Sequence, residues 1–259
     1  MKNNCDDCDA GRAGRNFSAG RFCEVVLSCA AWLCGLTAFV FLGLLFLGLS
    51  RLIDPKHFDA AIKAACRVIL RCTFICVQVQ GRERIRPEQT YLFMANHVNI
   101  FDVFVLYGYI PNFFRGVELD EHFGWFFYGP IIRRLGMIPI SQTSGRRALK
   151  SLKRAQEALG AGTSILILPE GGRTLDGRLQ PFKRGSFLLA QKARADIVPL
   201  ALVGAFDIYR KGSRLIRPGR MRLLFGHPVE YRTIADLDAS QLEACIRRKM
   251  LDLIGPGHG

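Results

Sequence analysis

An α/β domain with a mostly parallel central sheet flanked by helices, preceded by an N-terminal hydrophobic membrane-anchoring helix, is the predicted fold class. Three features of the sequence predict it. From about Val77 onward, short β-like apolar runs alternate with helix-like segments, the pattern of a parallel sheet. The stretch from Val25 to Ser50 contains no charged residue. The polar residues best suited to chemistry fall just beyond predicted strand ends, where open α/β sheets place their ligands.

The chain of 259 residues has room for one substantial domain and an appendage. Residues 1–24 mix Gly, Asn, Asp and Arg without periodicity and read as a flexible tail. Cys5 and Cys8 form a CxxC-like pair there, but no second pair or histidine stands at metal-site spacing, so no metal centre is expected. A helix over Val25–Ser50 would be about 39 Å long, enough for a hydrocarbon core of about 30 Å. A signal peptide fits less well, because the run is too long for an h-region and no small-residue cleavage site follows Ser50. A buried core helix also fits less well, since the segment is apolar on all sides.

From Pro55 to about Cys76, Phe58, Ala61, Ile62, Ala65, Val68, Ile69 and Cys72 recur at helical spacing among His57, Lys63, Arg67 and Arg71. This predicts a second helix, either at the membrane interface or packed on the main domain. Residues 25–76 thus form an anchoring unit and residues 77–259 the main domain. Strands are predicted at Tyr91–Ala95, Phe113–Val117, Met137–Ile140, Ser164–Leu168, Val198–Val203 and Met221–Phe225. Helices are predicted at Ile100–Tyr109, Gly145–Leu159, Gly185–Ala193 and Ala239–Leu253.

The net charge of +14 is unevenly spread. Seven Lys or Arg and no acid lie between His122 and Gln156, and six more without an acid lie between Ile208 and Val229. Beside an anchor, such charge points to an anionic membrane surface, at about 1 kcal/mol per well-placed cation. A nucleic-acid partner is not expected, because no motif for one is present. Cys29, Cys34, Cys66, Cys72 and Cys76 stand in apolar stretches and read as small buried thiols in a reducing compartment.

The candidate chemistry begins at Ala95-Asn96-His97-Val98-Asn99-Ile100-Phe101-Asp102, directly after an apolar run. A histidine there can act as a general base, with the aspartate holding its ring and tautomer. Chance yields such a spacing in about one chain in four of this composition, so the pair needs context. Leu168-Pro169-Glu170-Gly171-Gly172-Arg173 supplies some: glycines let the backbone approach a ligand, and Arg173 offers a planar fork for phosphate. Phe182-Lys183-Arg184-Gly185 opens a predicted helix, where cations either meet an anionic headgroup or form a solvated turn. The aromatic residues Phe123, Trp125, Phe126, Phe127 and Tyr128 either line a tunnel for an apolar chain, dip into the interface or pack in the core. His57, His122, His227 and His258 have no nearby partner in the sequence and are given no role.

Asn96-His97 with Asp102, followed by Pro169-Glu170-Gly171-Gly172-Arg173, resembles the glycerolipid acyltransferases that acylate 1-acyl-sn-glycerol-3-phosphate. Gly136-Met137-Ile138-Pro139-Ile140 and Val198-Pro199-Leu200 stand where that family has two further blocks, in the same order. The resemblance implies an O-acyltransferase of phospholipid biosynthesis, with residues 77–259 as its catalytic domain. It implies His97 and Asp102 as the catalytic pair, and Asn96, Glu170, Gly171, Gly172, Arg173 and Lys183 as substrate-binding residues. The acyl group would pass from acyl-CoA or acyl-carrier protein, as co-substrate, to the 2-hydroxyl of lysophosphatidic acid or a related lyso-lipid. No cofactor is implied. Transfer would be direct, since no GxSxG elbow is present and no cysteine adjoins the motif. The enzyme would sit on the inner or plasma membrane with its catalytic domain in the cytoplasm.

Two positions depart from the family pattern: Gly172 replaces a threonine, and Gln142 stands where a basic residue is usual. They motivate the alternative of a different lyso-lipid acceptor. A membrane-anchored lipid-binding protein without catalysis is the rival of another class.

Overall fold

A computed structural model describes the backbone of residues 7–255 and the side chains of residues 21–255. Cys5, Cys8 and the rest of the expected tail before residue 21 lie outside the described side chains. The chain runs through α1 (Asp7–Leu49), α2 (Asp59–Cys72), β1 (Ile75–Gln80), β2 (Leu92–Ala95), α3 (Asp102–Tyr109) and β3 (Phe114–Leu119). It continues through α4 (Tyr128–Arg134), β4 (Ile138–Ile140), α5 (Gly145–Gly160), β5 (Ser164–Ile167) and α6 (Gly185–Ala193). It ends with β6 (Ile197–Val203), α7 (Ala205–Ile208), β7 (Gly219–Phe225) and α8 (Ala239–Ile254).

The seven strands form one sheet in the order β1-β7-β6-β2-β5-β3-β4. Every pairing in it is parallel except β6 with β7. Strand side chains alternate between the two faces. Phe93 and Ala95 of β2 join a core with α2, α3 and α4, whereas Leu92 and Met94 join a second core with α5, α6 and α8. Because both faces are covered, the central strands read as unbroken apolar runs rather than alternating ones. The α/β class and its mostly parallel sheet are as predicted.

Three details differ from the sequence reading. The helix expected to reach Cys76 stops at Cys72, where Thr73 Oγ1 donates to the carbonyls of Ile69 and Leu70 and Phe74 takes a positive φ of 58°. Strand β1 then starts at Ile75. Its outward residues Cys76, Gln78 and Gln80 are exposed, as an edge strand allows. The short helices α4 and α7 were not predicted. The thiols of Cys29, Cys34 and Cys76 are exposed rather than buried, because they lie on the uncovered side of α1 or of β1.

Helix α2 packs between α1 and α3. Buried Lys63 pairs with Asp59 at 2.6 Å and donates to the carbonyls of Pro111 and Asn112, while Arg67 donates to Gly108 O at 2.6 Å. These cations face carbonyls at the C-terminal end of α3, the end of a helix that favours positive charge. Of the two placements left open for this helix, the structure has it packed on the main domain.

Residues Arg21–Leu49 of α1 are long and apolar enough to cross a membrane, with a mean hydropathy of 2.3 over the most apolar 18-residue stretch. The helix nevertheless docks by one side. Ser28 Oγ accepts the N–H of Ile216 at 2.9 Å, Trp32 Nε1 donates to Arg214 O at 2.8 Å, and Glu24 pairs with Arg217. Gly35 and Gly43 face Thr73 and Phe127 so closely that a Cβ would come within 2.4 Å and 2.7 Å of them. Small residues at helical spacing thus make the seam. On the other side Phe22, Leu33, Phe41 and Leu44 are exposed.

Candidate active site

Strand β2 delivers the chain to the C-terminal edge of the sheet, and the turn that follows is fixed by its own side chains. Backbone pairing of β2 with β6 ends at Ala95–Leu200. Asn96 then extends the ladder with its side chain: Oδ1 accepts the N–H of Leu202 at 2.7 Å and Nδ2 donates to its carbonyl at 3.0 Å. Asn99, also buried, accepts the N–H of Phe101 at 2.8 Å and donates to Ala205 O at 2.7 Å. The sequence analysis gave Asn99 no role, although asparagines of this kind commonly shape a turn before a helix.

Asp102 opens α3, where the helix N-terminus favours a negative charge. Its side chain is fully buried. Oδ2 accepts the backbone N–H groups of Val98 at 2.5 Å and Asn99 at 2.8 Å, and meets His97 Nδ1 at 2.9 Å. A carboxylate can only accept, so Nδ1 carries the proton and Nε2 is left as the basic nitrogen.

A second segment clasps the histidine from the other side. Glu170 Oε1 accepts the His97 N–H at 2.6 Å, and Oε2 accepts the Gln180 N–H at 2.7 Å. Thr174 N–H donates to His97 O at 2.9 Å. Both backbone polar groups of His97 are therefore held by residues 170–174. Burial pushes the Glu170 carboxyl up to about 7, outweighing the two N–H bonds that favour its ionised form.

Gly171 has a φ of +70°, and a Cβ there would lie 3.2 Å from the Lys183 side chain. Its carbonyl accepts from Gln142 Nε2 at 2.6 Å, while Lys183 N–H donates to Pro169 O at 2.7 Å. A Cβ at Gly172 would meet nothing within 4 Å, so crowding does not impose the glycine that replaces threonine.

His97, Gly171, Gly172, Arg173 and Lys183 line one cavity of about 980 Å³. Asn96, Asp102 and Glu170 stand behind its surface rather than on it. The cavity extends over apolar side chains that include Trp32 and Phe39 of α1, Ile62 of α2, Phe104 of α3 and Ile131 of α4. Of the aromatic cluster, Trp125, Phe127 and Tyr128 line it, whereas Phe126 is 98% exposed. His122, which has no evident partner in the sequence, meets Glu118 Oε1 through Nδ1 at 2.6 Å. The i,i+4 spacing of that pair was the available signal. Among the described residues no group of three or more His, Cys, Asp or Glu is placed to hold a metal ion.

The arrangement offers a histidine with an oriented ring, a largely apolar cavity and two cations in its lining. Comparison with known proteins agrees with that chemistry. Residues 76–203 match the profile of the family described as Acyltransferase. A chloroplastic 1-acyl-sn-glycerol-3-phosphate acyltransferase of Brassica napus is 30% identical, over 70% of this chain and 52% of its own length. The corresponding alpha enzyme of Mus musculus is 28% identical, over 69% of this chain and 64% of its own. The chain spans about half the length of the first of these curated relatives. The crystal structure of the 1-acyl-sn-glycerophosphate acyltransferase from Thermotoga maritima superposes with a TM-score of 0.77. It covers 89% of this chain and 94% of that one at 22% identity, a likeness of fold.

Proposed function

Because residues 76–203 match the acyltransferase family, we propose that the chain transfers a fatty acyl group to the 2-hydroxyl of 1-acyl-sn-glycerol-3-phosphate, giving phosphatidic acid. The donor is a thioester, acyl-CoA or acyl-carrier protein. The observation that carries this reading is the His97–Asp102 pair at 2.9 Å, set in a cavity that also holds Arg173 and Lys183.

A hydroxyl is a poor nucleophile near neutral pH, so a base must take its proton as the oxygen attacks. His97 Nε2 accepts that proton while the acceptor oxygen bonds to the thioester carbonyl carbon. Asp102 stabilises the imidazolium that forms. When the tetrahedral intermediate collapses, the C–S bond breaks and the imidazolium returns its proton to the departing sulfur. The products are the ester and a free thiol, and His97 is neutral again. Arg173 and Lys183 hold the acceptor phosphate, with Gly171 and Gly172 allowing its close approach. Asn96 and Glu170 contribute by holding the turn and the loop that present these groups.

We further propose that α1 anchors the enzyme by lying along the membrane, its exposed apolar stripe in lipid and its docked side on the domain. The donor places the domain in the cytoplasm. A different lyso-lipid acceptor is the second reading. Gln142 favours it, because its amide is engaged by Gly171 O and brings no cation to the mouth.

The deciding experiment is transfer of a labelled acyl group by the purified full chain in mixed micelles, wild type beside His97→Ala, over a panel of lyso-lipids. Collapse of transfer with lyso-lipid binding retained is expected. Undiminished cellular function of His97→Ala would establish the non-catalytic rival, and the preferred lyso-lipid decides the acceptor.

A further inference from the structure

Helix α5 has two unlike sides. Ser151, Leu152 and Ala155 face inward onto the cavity that holds His97. The outer side carries Arg146, Arg147, Lys150, Lys153 and Arg154, all exposed. Arg147 pairs with Asp120 at 2.8 Å and Lys153 approaches Glu157 at 4.0 Å, whereas Arg146, Lys150 and Arg154 form no ion pair among the described residues. At the edge of this cationic face, next to Arg146 and Lys153 by helical spacing, Leu149 is 61% exposed.

From this geometry we infer that the outer face of α5 is the docking surface for an acidic carrier protein that delivers the acyl thioester. The inference rests on the acyl-transfer reading of the site and chooses between its two donors. Three observations favour this partner.

The first is shape. Arg146, Lys150 and Arg154 repeat every fourth residue, a row of about 12 Å along the helix. A small phosphorylated donor needs cations that converge on a point, and these are strung out. The second is the exposed leucine that borders the charges, which sets apolar area beside polar contacts as protein interfaces do. The third is position. Helix α5 packs on the sheet face opposite α1, α2, α3 and α4. The bare apolar stripe of α1 marks the lipid side, so the cations of α5 are turned away from it. They are also near the chemistry. Gln142, just before the helix, bonds to Gly171, and Gly185 at the start of α6 lies beside Leu152.

The test compares palmitoyl-carrier protein with palmitoyl-CoA as donor for the full chain and for Lys150→Glu/Arg154→Glu. Neither residue lies on the cavity. The KM for the carrier-bound donor should rise about tenfold or more in the variant, while kcat/KM with palmitoyl-CoA stays within about twofold. Added salt should raise the wild-type KM for the carrier-bound donor and have less effect on the variant. Lys150→Gln/Arg154→Gln, with unchanged circular dichroism and melting temperature, should fall between the two.

Equal impairment with both donors would overturn the docking surface, as would a wild type that accepts palmitoyl-CoA alone. Loss of binding to anionic phosphatidylglycerol vesicles with both donors unaffected would assign the patch to the membrane and overturn it too. Should the wild type transfer from neither donor, the acyl-transfer reading fails by itself. Binding of the immobilised chain to the carrier protein then decides docking: salt-sensitive binding that the charge reversal abolishes supports it, and no binding ends it.

Discussion

The carboxylate of Glu170 accepts the backbone N–H of His97 at 2.6 Å, tying two segments 73 residues apart in sequence. Glu170 stands behind the cavity lining and holds the backbone of His97, which is on it. Its elevated pKa gives that clasp a pH signature.

The ordinary carboxyl value for Glu170 is 4.5, and in the folded protein it is raised to about 7. Between those values the native carboxyl keeps a proton that the unfolded chain has lost. The stability this confers is complete below the lower value and disappears as pH rises through the upper one. Thermal melts from acid to neutral pH should therefore show a downward slope in wild type that is flatter in Glu170→Gln. Parallel slopes would remove Glu170 as the titrating group.

Asp102→Asn should leave the turn largely in place, because an amide oxygen can still accept backbone N–H groups. A neutral side chain no longer stabilises the imidazolium or fixes its tautomer. Turnover should fall by about 10²-fold or more, with KM for the acceptor little changed. Steady-state kinetics in mixed micelles measure both parameters, and a variant within a few-fold of wild type would exclude the pair as the base.

Asn96 engages both backbone groups of Leu202. Asn96→Ala leaves that buried N–H and C=O unpaired, each at a cost of about 1–3 kcal/mol. A lower melting temperature is expected, while KM for the acceptor in the folded fraction stays at the wild-type value. A raised KM at unchanged stability would place the residue on the ligand instead.

Gly35→Leu puts a side chain where even a Cβ would lie 2.4 Å from Thr73 Cγ2. Helix α1 must then lift from the domain. Transfer should fall severalfold while sedimentation with vesicles is unchanged, since the outer stripe is intact. Leu44→Ala, on the exposed stripe, should do the reverse.

Much of the sheet was legible because β2, β5 and β6 are covered on both faces and read as unbroken apolar runs. Strand β1 was missed although Ile75-Cys76-Val77-Gln78-Val79-Gln80 alternates strictly. The apolar helical run before it extends to Cys72, and only the left-handed turn at Phe74 separates the two. Helix α4 is seven residues with a proline in its first turn, too short for a period to register. The turn that holds His97 and Asp102 was legible from residue types at fixed spacing. The clasp by Glu170 and Thr174 was not, because a carboxylate that binds a distant backbone N–H leaves no local pattern. The docked side of α1 escaped notice for a related reason: Ser28, Gly35 and Gly43 mark it by small size, and hydropathy is blind to size.

Trp32 and Phe39 belong both to the long apolar helix α1 and to the wall of the cavity that holds the histidine. If α1 lies in the membrane as proposed, a lyso-lipid would reach the cavity past these two side chains without its hydrocarbon tail being wetted. Detergents that solubilise the protein would compete for the same berth, so turnover should depend on the amphiphile surrounding it as much as on the concentration of substrate.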